Sequence, residues 1–210
     1  MPTSTIIPAP LSNSISNHQI APTIDPNSIR LETLDGSTPL SVIRQAAECI
    51  IIALELGSPV WENIIPAPRA PLDVQIDRAA LQHRLALKDD EKVYVRAVGS
   101  VEGVERTLGV AIWQRPGAYT GTSLIRGDRY LSILVVHPDA QKLRIGSRLL
   151  DHGLQNLVEA RYPMILEATP AGERLYTGRG FVKEFEFTLA EQYPGMGKMK
   201  FPLYRRPAET

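Results

Sequence analysis

The sequence predicts an α/β (α+β) fold, a single domain with a mixed, mostly antiparallel central sheet flanked by helices. Three observations carry this. Strand-like and helix-like segments follow one another in the order strand, two helices, three strands, helix, strand, helix, strands. Two of the central strands flank a glycine-containing loop, the pattern of a hairpin. A chain of 210 residues with 43% hydrophobic and 22% charged side chains has ordinary globular composition, and it can bury a core without staples.

The segments are justified in order. Residues 1–27 are rich in Pro, Ser, Asn and Thr, with Ile6, Ile7 and Ile20 as isolated apolar residues. Such a stretch buries too little surface to offset its ordering entropy, so it reads as a loosely attached tail before a folded domain at 28–206. Ile29 to Leu34 alternates as a first strand. Thr38 and Pro39 have N-cap and first-turn chemistry, and the apolar run from Leu40 to Leu56 is a helix stopped by Gly57 and Pro59. A proline-rich loop leads to a second helix from Ile76 to Leu87. Val93 to Val98 and Leu108 to Trp113 are strands around a loop holding Gly99 and Gly103. Arg115 to Gly127 is a connector. Tyr130 to Val136 is a near-continuous apolar run, hence a central strand. Apolar residues at 145, 149, 150, 154, 157 and 158 mark a helix from Ile145 to Ala160. Met164 to Ala168 is a strand, Gly172 to Thr177 a short helix, Phe181 to Leu189 a strand, and Lys198 to Tyr204 closes the sheet.

Composition excludes several classes. Twenty-three basic and twenty-three acidic side chains balance to a formal charge of zero, which argues against a nucleic-acid binder. One cysteine, Cys49, excludes an intrachain disulfide framework and a Cys-rich zinc site, and no metal is expected. No apolar run approaches the roughly 18–20 residues of a membrane span. No basic region followed by an apolar core opens the chain. A soluble, cytoplasmic protein with no membrane partner is expected.

The stretch from Val135 to Leu150 carries the most chemistry. A buried strand runs through His137-Pro138-Asp139-Ala140-Gln141 directly into an amphipathic helix. The first N–H groups of any helix lack intrahelical partners, and an N-cap side chain usually satisfies one. Leu143, Arg144 and Ile145 cannot do so. Lys142, Arg144 and Arg148 also place positive charge at the positive end of the helix dipole, at about 0.3–1 kcal/mol each. A missing cap and unfavourable cations make sense if an anion occupies the site, with Gly146 allowing close approach.

That stretch resembles motif A of the GNAT (Gcn5-related N-acetyltransferase) family, which reads Gln/Arg-x-x-Gly-x-Gly/Ala. Downstream, Leu166 to Thr169 and then Leu175-Tyr176-Thr177-Gly178-Arg179-Gly180-Phe181 are similar to the family's next strand and its Leu-Tyr-x-x-x-Gly-Phe segment. The resemblance spans residues 29 to 204 and is strongest from 130 to 187. It implies a GNAT-like acyl-CoA-binding domain that transfers acetyl from acetyl-CoA, as co-substrate, to an amine of a small-molecule acceptor. Carried over, the pantetheine arm would pair near Val135 and Val136. The pyrophosphate would sit on Gln141, Lys142, Leu143, Arg144, Ile145, Gly146 and Ser147. The resemblance departs at Arg144, where the family has its first glycine. If that position needs φ > 0, arginine costs about 1–2 kcal/mol. If it needs only close approach, the side chain either crowds the phosphate or pairs with it. Arg144 therefore keeps two alternatives: a fold relative doing other chemistry, such as decarboxylation or cyclisation, and a non-catalytic binding module.

The resemblance implies that Tyr176 lies near the thiol sulfur as a proton or hydrogen-bond donor, and that the Val136 amide polarises the thioester carbonyl. Glu167, in the strand beside the cleft, is the candidate base. His137 reads as a structural turn, His152 as surface and Cys49 as core; Ser132 cannot be a base. Gly178 to Gly180 is a turn, not a dinucleotide loop. The acceptor pocket is expected along Val60–Pro71, Pro116–Arg126 and Gln192–Lys198, where Trp61, Tyr119 and Tyr193 supply aromatic surface. An exposed C-terminal strand offers an edge through which a homodimer can form.

Overall fold

Seven strands form one sheet in the order β1-β2-β3-β4-β5-β7-β6. They are β1 (Arg30–Leu34), β2 (Lys92–Val101), β3 (Val104–Gln114), β4 (Arg129–Val136), β5 (Met164–Glu167), β6 (Val182–Thr188) and β7 (Lys200–Arg206). The helices are α1 (Leu40–Gly57), α2 (Leu72–Ala86), α3 (Ile145–His152) and α4 (Glu173–Thr177). This computed structural model describes residues 23–57, 70–88, 92–114, 128–157, 162–188 and 200–208. Every neighbouring pair of strands is antiparallel except β4 with β5. Among the described residues no helix is long and apolar enough to cross a membrane.

Strand alternation divides the core in two. Tyr94, Val110 and Ile112 face α1 and α2, in a cluster with Ile43, Ala47, Ile50 and Ile76. Val95, Ala97, Ala111 and Trp113 face the other way, onto Ile145, Leu149 and Leu150 of α3 and Tyr176 of α4. Both sides of the sheet are thus covered, which explains why β3 carries no polar side chain from Leu108 to Trp113 apart from the indole N–H.

Local chemistry sets the boundaries. β2 and β3 are joined by Glu102-Gly103 alone, with φ of 52° and 80°. Two successive positive φ values define the tight turn that matches strand twist. The hairpin is therefore tighter than the expected loop, and Gly99 lies inside β2. At the start of α1, Asp35 Oδ1 accepts from the Ser37 and Thr38 amides, and Thr38 Oγ1 accepts from the Asp35 amide. Helix α2 begins a turn earlier than the apolar pattern indicates, at Leu72 behind Pro71. The helix expected to reach Ala160 is α-helical only to His152 and then widens to a π turn over Gly153–Leu157. There the helix passes directly beneath the Trp113 indole. Thr23 to Asn27, which composition places in the tail, dock on the hairpin: Ile24 pairs with Val101, and the Thr23 carbonyl accepts from the Glu102 amide. Residues 1–22 lie outside the described residues.

The C-terminal strand is not the exposed edge that was expected. β7 inserts between β5 and β6, so β6 is the edge, with Val182 and Phe185 exposed.

Arg96 of β2 points into the α1 side with only 5% of its side chain exposed. A buried guanidinium is tolerated only when paired and hydrogen-bonded. Its Nε and Nη2 donate to Glu32 Oε2 at 2.9 and 2.7 Å, and Nη1 donates to Thr107 Oγ1 and Gln45 Oε1 at 3.2 and 3.4 Å. Burial alone would raise the Glu32 carboxyl, but the bond and charge of Arg96, with help from Arg30, bring it below its ordinary value. A lowered carboxyl contributes stability that is present above the unfolded value, about 4.3, and lost as pH falls through the folded one. Glu32→Gln is expected to lower stability by about 2–3 kcal/mol at neutral pH. Urea titrations at pH 7 and pH 3 check this, since the deficit shrinks in acid.

Candidate functional site

Strands β4 and β5 pair at only two positions, Arg129 with Met164 and Tyr130 with Ile165. Beyond Tyr130 the two strands part, and the β5-facing edge of Leu131 to Val136 is left open. The other edge stays bonded to β3, with His137 N donating to Leu108 O at 2.9 Å. Antiparallel ladders alternate, so Val135 shares the β3-facing side with His137, and the peptide groups of Leu134 and Val136 face the gap. A bulge accompanies the opening: consecutive Ile112 and Trp113 oppose Ile133 and Leu131, leaving Ser132 as the extra residue, its hydroxyl on the Ile112 carbonyl.

At the end of β4 the chain makes a single 3₁₀ turn, Pro138–Ala140, and enters α3 through two left-handed residues, Lys142 (φ 65°) and Arg144 (φ 59°). Arg144 is the N-cap and makes no side-chain cap hydrogen bond. The first helical bond runs from the Arg148 amide to the Arg144 carbonyl, so the amides of Ile145, Gly146 and Ser147 are left pointing out of the helix. They open on a depression of about 260 Å³ lined by Val136, Ala140, Gln141, Lys142, Arg144, Ile145, Gly146, Ser147 and Leu175. The residues expected to hold the pyrophosphate are therefore gathered there except Leu143, which packs on the α3 side. Of the two expected beside the pantetheine arm, Val136 lines the depression and Val135 packs on the α1 side.

The strained backbone at Arg144 answers the open question: the position does adopt φ > 0, and a non-glycine residue there costs about 1–2 kcal/mol. Its side chain is exposed. Arg148, the third expected cation, is committed elsewhere, with Nη2 donating to the Ile29 carbonyl at 2.8 Å.

Tyr176 is only 7% exposed, packs edge-on against Phe181, and is pushed up to about 12 by burial. It stays protonated at neutral pH and can act as a hydrogen-bond donor, while its neighbour Leu175 is the residue on the depression. Glu167 ends β5 opposite Leu203 and accepts a hydrogen bond from the Tyr130 hydroxyl. Burial first, then the Glu167 charge and hydrogen bond, raise Tyr130 far above an ordinary phenol, so it remains the donor. The pair spans β4 and β5 at the last point where the strands are joined. The roles of Tyr130 and Leu134 were not legible beforehand: ladder parity and the pairing of β4 with β5 carry no local sequence signal.

The remaining candidates are structural. Cys49 is 1% exposed and raised to about 12 by burial. His83, lowered to about 4 by burial, sits 3.2 Å from the Tyr94 hydroxyl. His152 contacts Asn156 on the surface. His137 Nδ1 accepts from the Asp139 amide within its turn. Arg179, in the Gly178–Gly180 turn, forms a two-pronged ion pair with Asp151. Trp61, Tyr119 and Tyr193, with the loops at 60–69, 116–126 and 192–198, lie outside the described residues, as does His18.

Comparison with known proteins agrees with this geometry. Residues 73–193 match the family model described as an acetyltransferase (GNAT) domain. No protein of curated function matches the sequence. Among solved structures, the chain is similar to a histone acetyltransferase HPA2 and related acetyltransferase from Corynebacterium glutamicum. The TM-score is 0.61 at 20% identity, over 86% of this chain and 97% of that one. It is also similar to the ribosomal-protein-S18-alanine N-acetyltransferase from Escherichia coli, with TM-score 0.53 and 15% identity over 87% and 95% of the chains. A chain of the NatC complex bound to Gag peptide and CoA gives TM-score 0.53 and 15% identity over 87% and 99%.

Proposed function

Because the chain belongs to the GNAT acetyltransferase family, we propose that it moves an acetyl group from acetyl-CoA to the amine of a small-molecule acceptor, by direct attack on the thioester. The observation that carries the cofactor half is the uncapped, left-handed entry into α3 beneath an open strand edge. Unpaired amides at the positive end of a helix suit a pyrophosphate, and the depression in front of them is large enough to receive one. Lys142, Arg144 and the amides of Ile145, Gly146 and Ser147 would hold it, and the open edge at Leu134 and Val136 would take the amide-bearing arm. The bound co-substrate would supply the activated acyl group.

The chain's own groups have separable tasks. The amides of Leu134 and Val136 face the gap and can donate to a carbonyl oxygen that gains charge. Glu167, with one oxygen held by Tyr130, keeps the other for the proton of the attacking amine. Tyr176 can donate a hydrogen bond to a departing thiolate.

Calorimetric titration of acetyl-CoA, with thiol release in the presence of amines, tests the reading. The natural protein is expected to bind one equivalent with micromolar affinity. Arg144→Gly relieves about 1–2 kcal/mol of strain, partly offset by the greater unfolded-state freedom of glycine, for a net gain near 0.5–1 kcal/mol. It also removes a cation from the phosphate, and affinity falls about tenfold. If only Arg144→Gly binds, the natural chain has given up its cofactor and the proposal fails.

A further inference from the structure

A second cavity of about 250 Å³ lies on the α1 side of the sheet, across the Pro138–Ala140 turn from the phosphate depression. His137 and Asp139 line it from the turn, Gln45, Glu48 and Ile52 from one face of α1, and Arg106 and Thr107 from the start of β3. It is smaller than a drug-sized pocket and suits a ligand of about ten heavy atoms.

Buried Arg96 fixes the polarity of its floor. A guanidinium has only donors, so every group it bonds must accept. Gln45 receives Nη1 on its carbonyl oxygen, which leaves its amide NH₂ free to point elsewhere. Thr107, 6% exposed, receives Nη1 on its hydroxyl oxygen, which leaves the O–H as a donor with no acceptor among the described residues. Arg106 adds a cation at the same end of β3. One turn further along α1 Glu48 is half-buried; the Arg44 cation acts on it through space, and no close ion pair joins it to Arg106. Asp139 stands nearby, its carboxylate 3.6 Å from His137 Nδ1.

The cavity therefore gathers donors from β3 (Arg106, Thr107) and from Gln45 of α1, and carboxylates from Glu48 one turn further along α1 and from Asp139 of the turn, with Ile52 and Leu108 as apolar lining. We propose that it is a second ligand site, for a small zwitterion of the α-amino acid class, its carboxylate on Gln45, Arg106 and Thr107 and its ammonium on Glu48 and Asp139. The inference goes beyond acyl transfer and stands without it.

The test is calorimetric titration of L-valine, L-leucine and L-methionine into the full chain, with isopentylamine and 4-methylpentanoate as half-ligands. At least one amino acid is expected to bind at one site, at least tenfold more tightly than either half-ligand. Glu48→Gln and Arg106→Met, at half-buried and exposed positions, each weaken it at least tenfold with an unchanged melting midpoint and unchanged acetyl-CoA affinity. Absence of binding by all three, or equal binding by both variants, overturns the proposal. Conversion of the bound amino acid to its N-acetyl form, read by mass spectrometry, also overturns it as a second site, because the cavity would then be the acceptor pocket.

Discussion

Gly153→Ala is expected to lower the unfolding free energy by about 3 kcal/mol, although the substitution favours a helix. Gly153 has φ −61° and ψ −46°, ordinary right-handed values, so propensity alone predicts a gain near 1 kcal/mol. Packing decides otherwise. A methyl carbon at this position would lie 2.1 Å from Trp113 Cζ2 and 2.3 Å from Cε2. The indole is rigid, 3% exposed and packed within the α3-side core, so it cannot step aside cheaply. Relief comes from moving the helix, which drags the phosphate loop with it, and acetyl-CoA affinity falls together with stability. Urea denaturation of the variant, with Leu154→Ala as a neighbouring control, measures the effect. A variant as stable as the parent would mean that the helix does not pass beneath the indole.

Glu167→Gln is expected to lower turnover by about 10²–10⁴, the range for loss of a positioned base, while acetyl-CoA affinity changes less than twofold. The amide keeps the size of the carboxylate and can still accept from Tyr130, so packing at the end of β5 survives. What disappears is the ability to take a proton. Tyr130→Phe should reduce turnover by a smaller factor, because it frees the carboxylate without removing it. Steady-state kinetics with saturating acetyl-CoA, on the amine that gives thiol release, separate these outcomes. Parental turnover in Glu167→Gln would assign the base elsewhere.

The order of elements was readable because each strand and helix carries its own periodicity. Alternation at Ile29 to Leu34 and the stripe at 145, 149 and 150 report which face is buried, and burial is what the sheet and α3 supply. The uncapped start of α3 was readable for a different reason: a helix start without a cap violates a local rule, and such violations point to candidate sites. Three features stayed hidden. That β7 lies inside β6 depends on pairing between segments distant in sequence, which no local pattern encodes. The resemblance implied a splayed strand end near Val135 and Val136, but that the parting begins after Tyr130 depends on pairing between distant segments, so neither the Tyr130–Glu167 bond nor the orientation of Leu134 could be foreseen. The π turn begins at Gly153, where the helix meets a tryptophan forty positions upstream, a contact that no local pattern announces.

The insertion of β7 also bears on how the molecule assembles. β5 is four residues long and joined to β4 at two positions, so its main support is β7, which is synthesised after both of its neighbours in the sheet. While the chain emerges from the ribosome, everything needed for the phosphate loop is present once α4 has been made. The wall carrying Glu167 has no firm partner until about thirty further residues follow. The proposed cofactor site is therefore complete in a nascent chain before the wall that carries Glu167, and a ligand held there would serve as a template while the acidic half of the cleft closes.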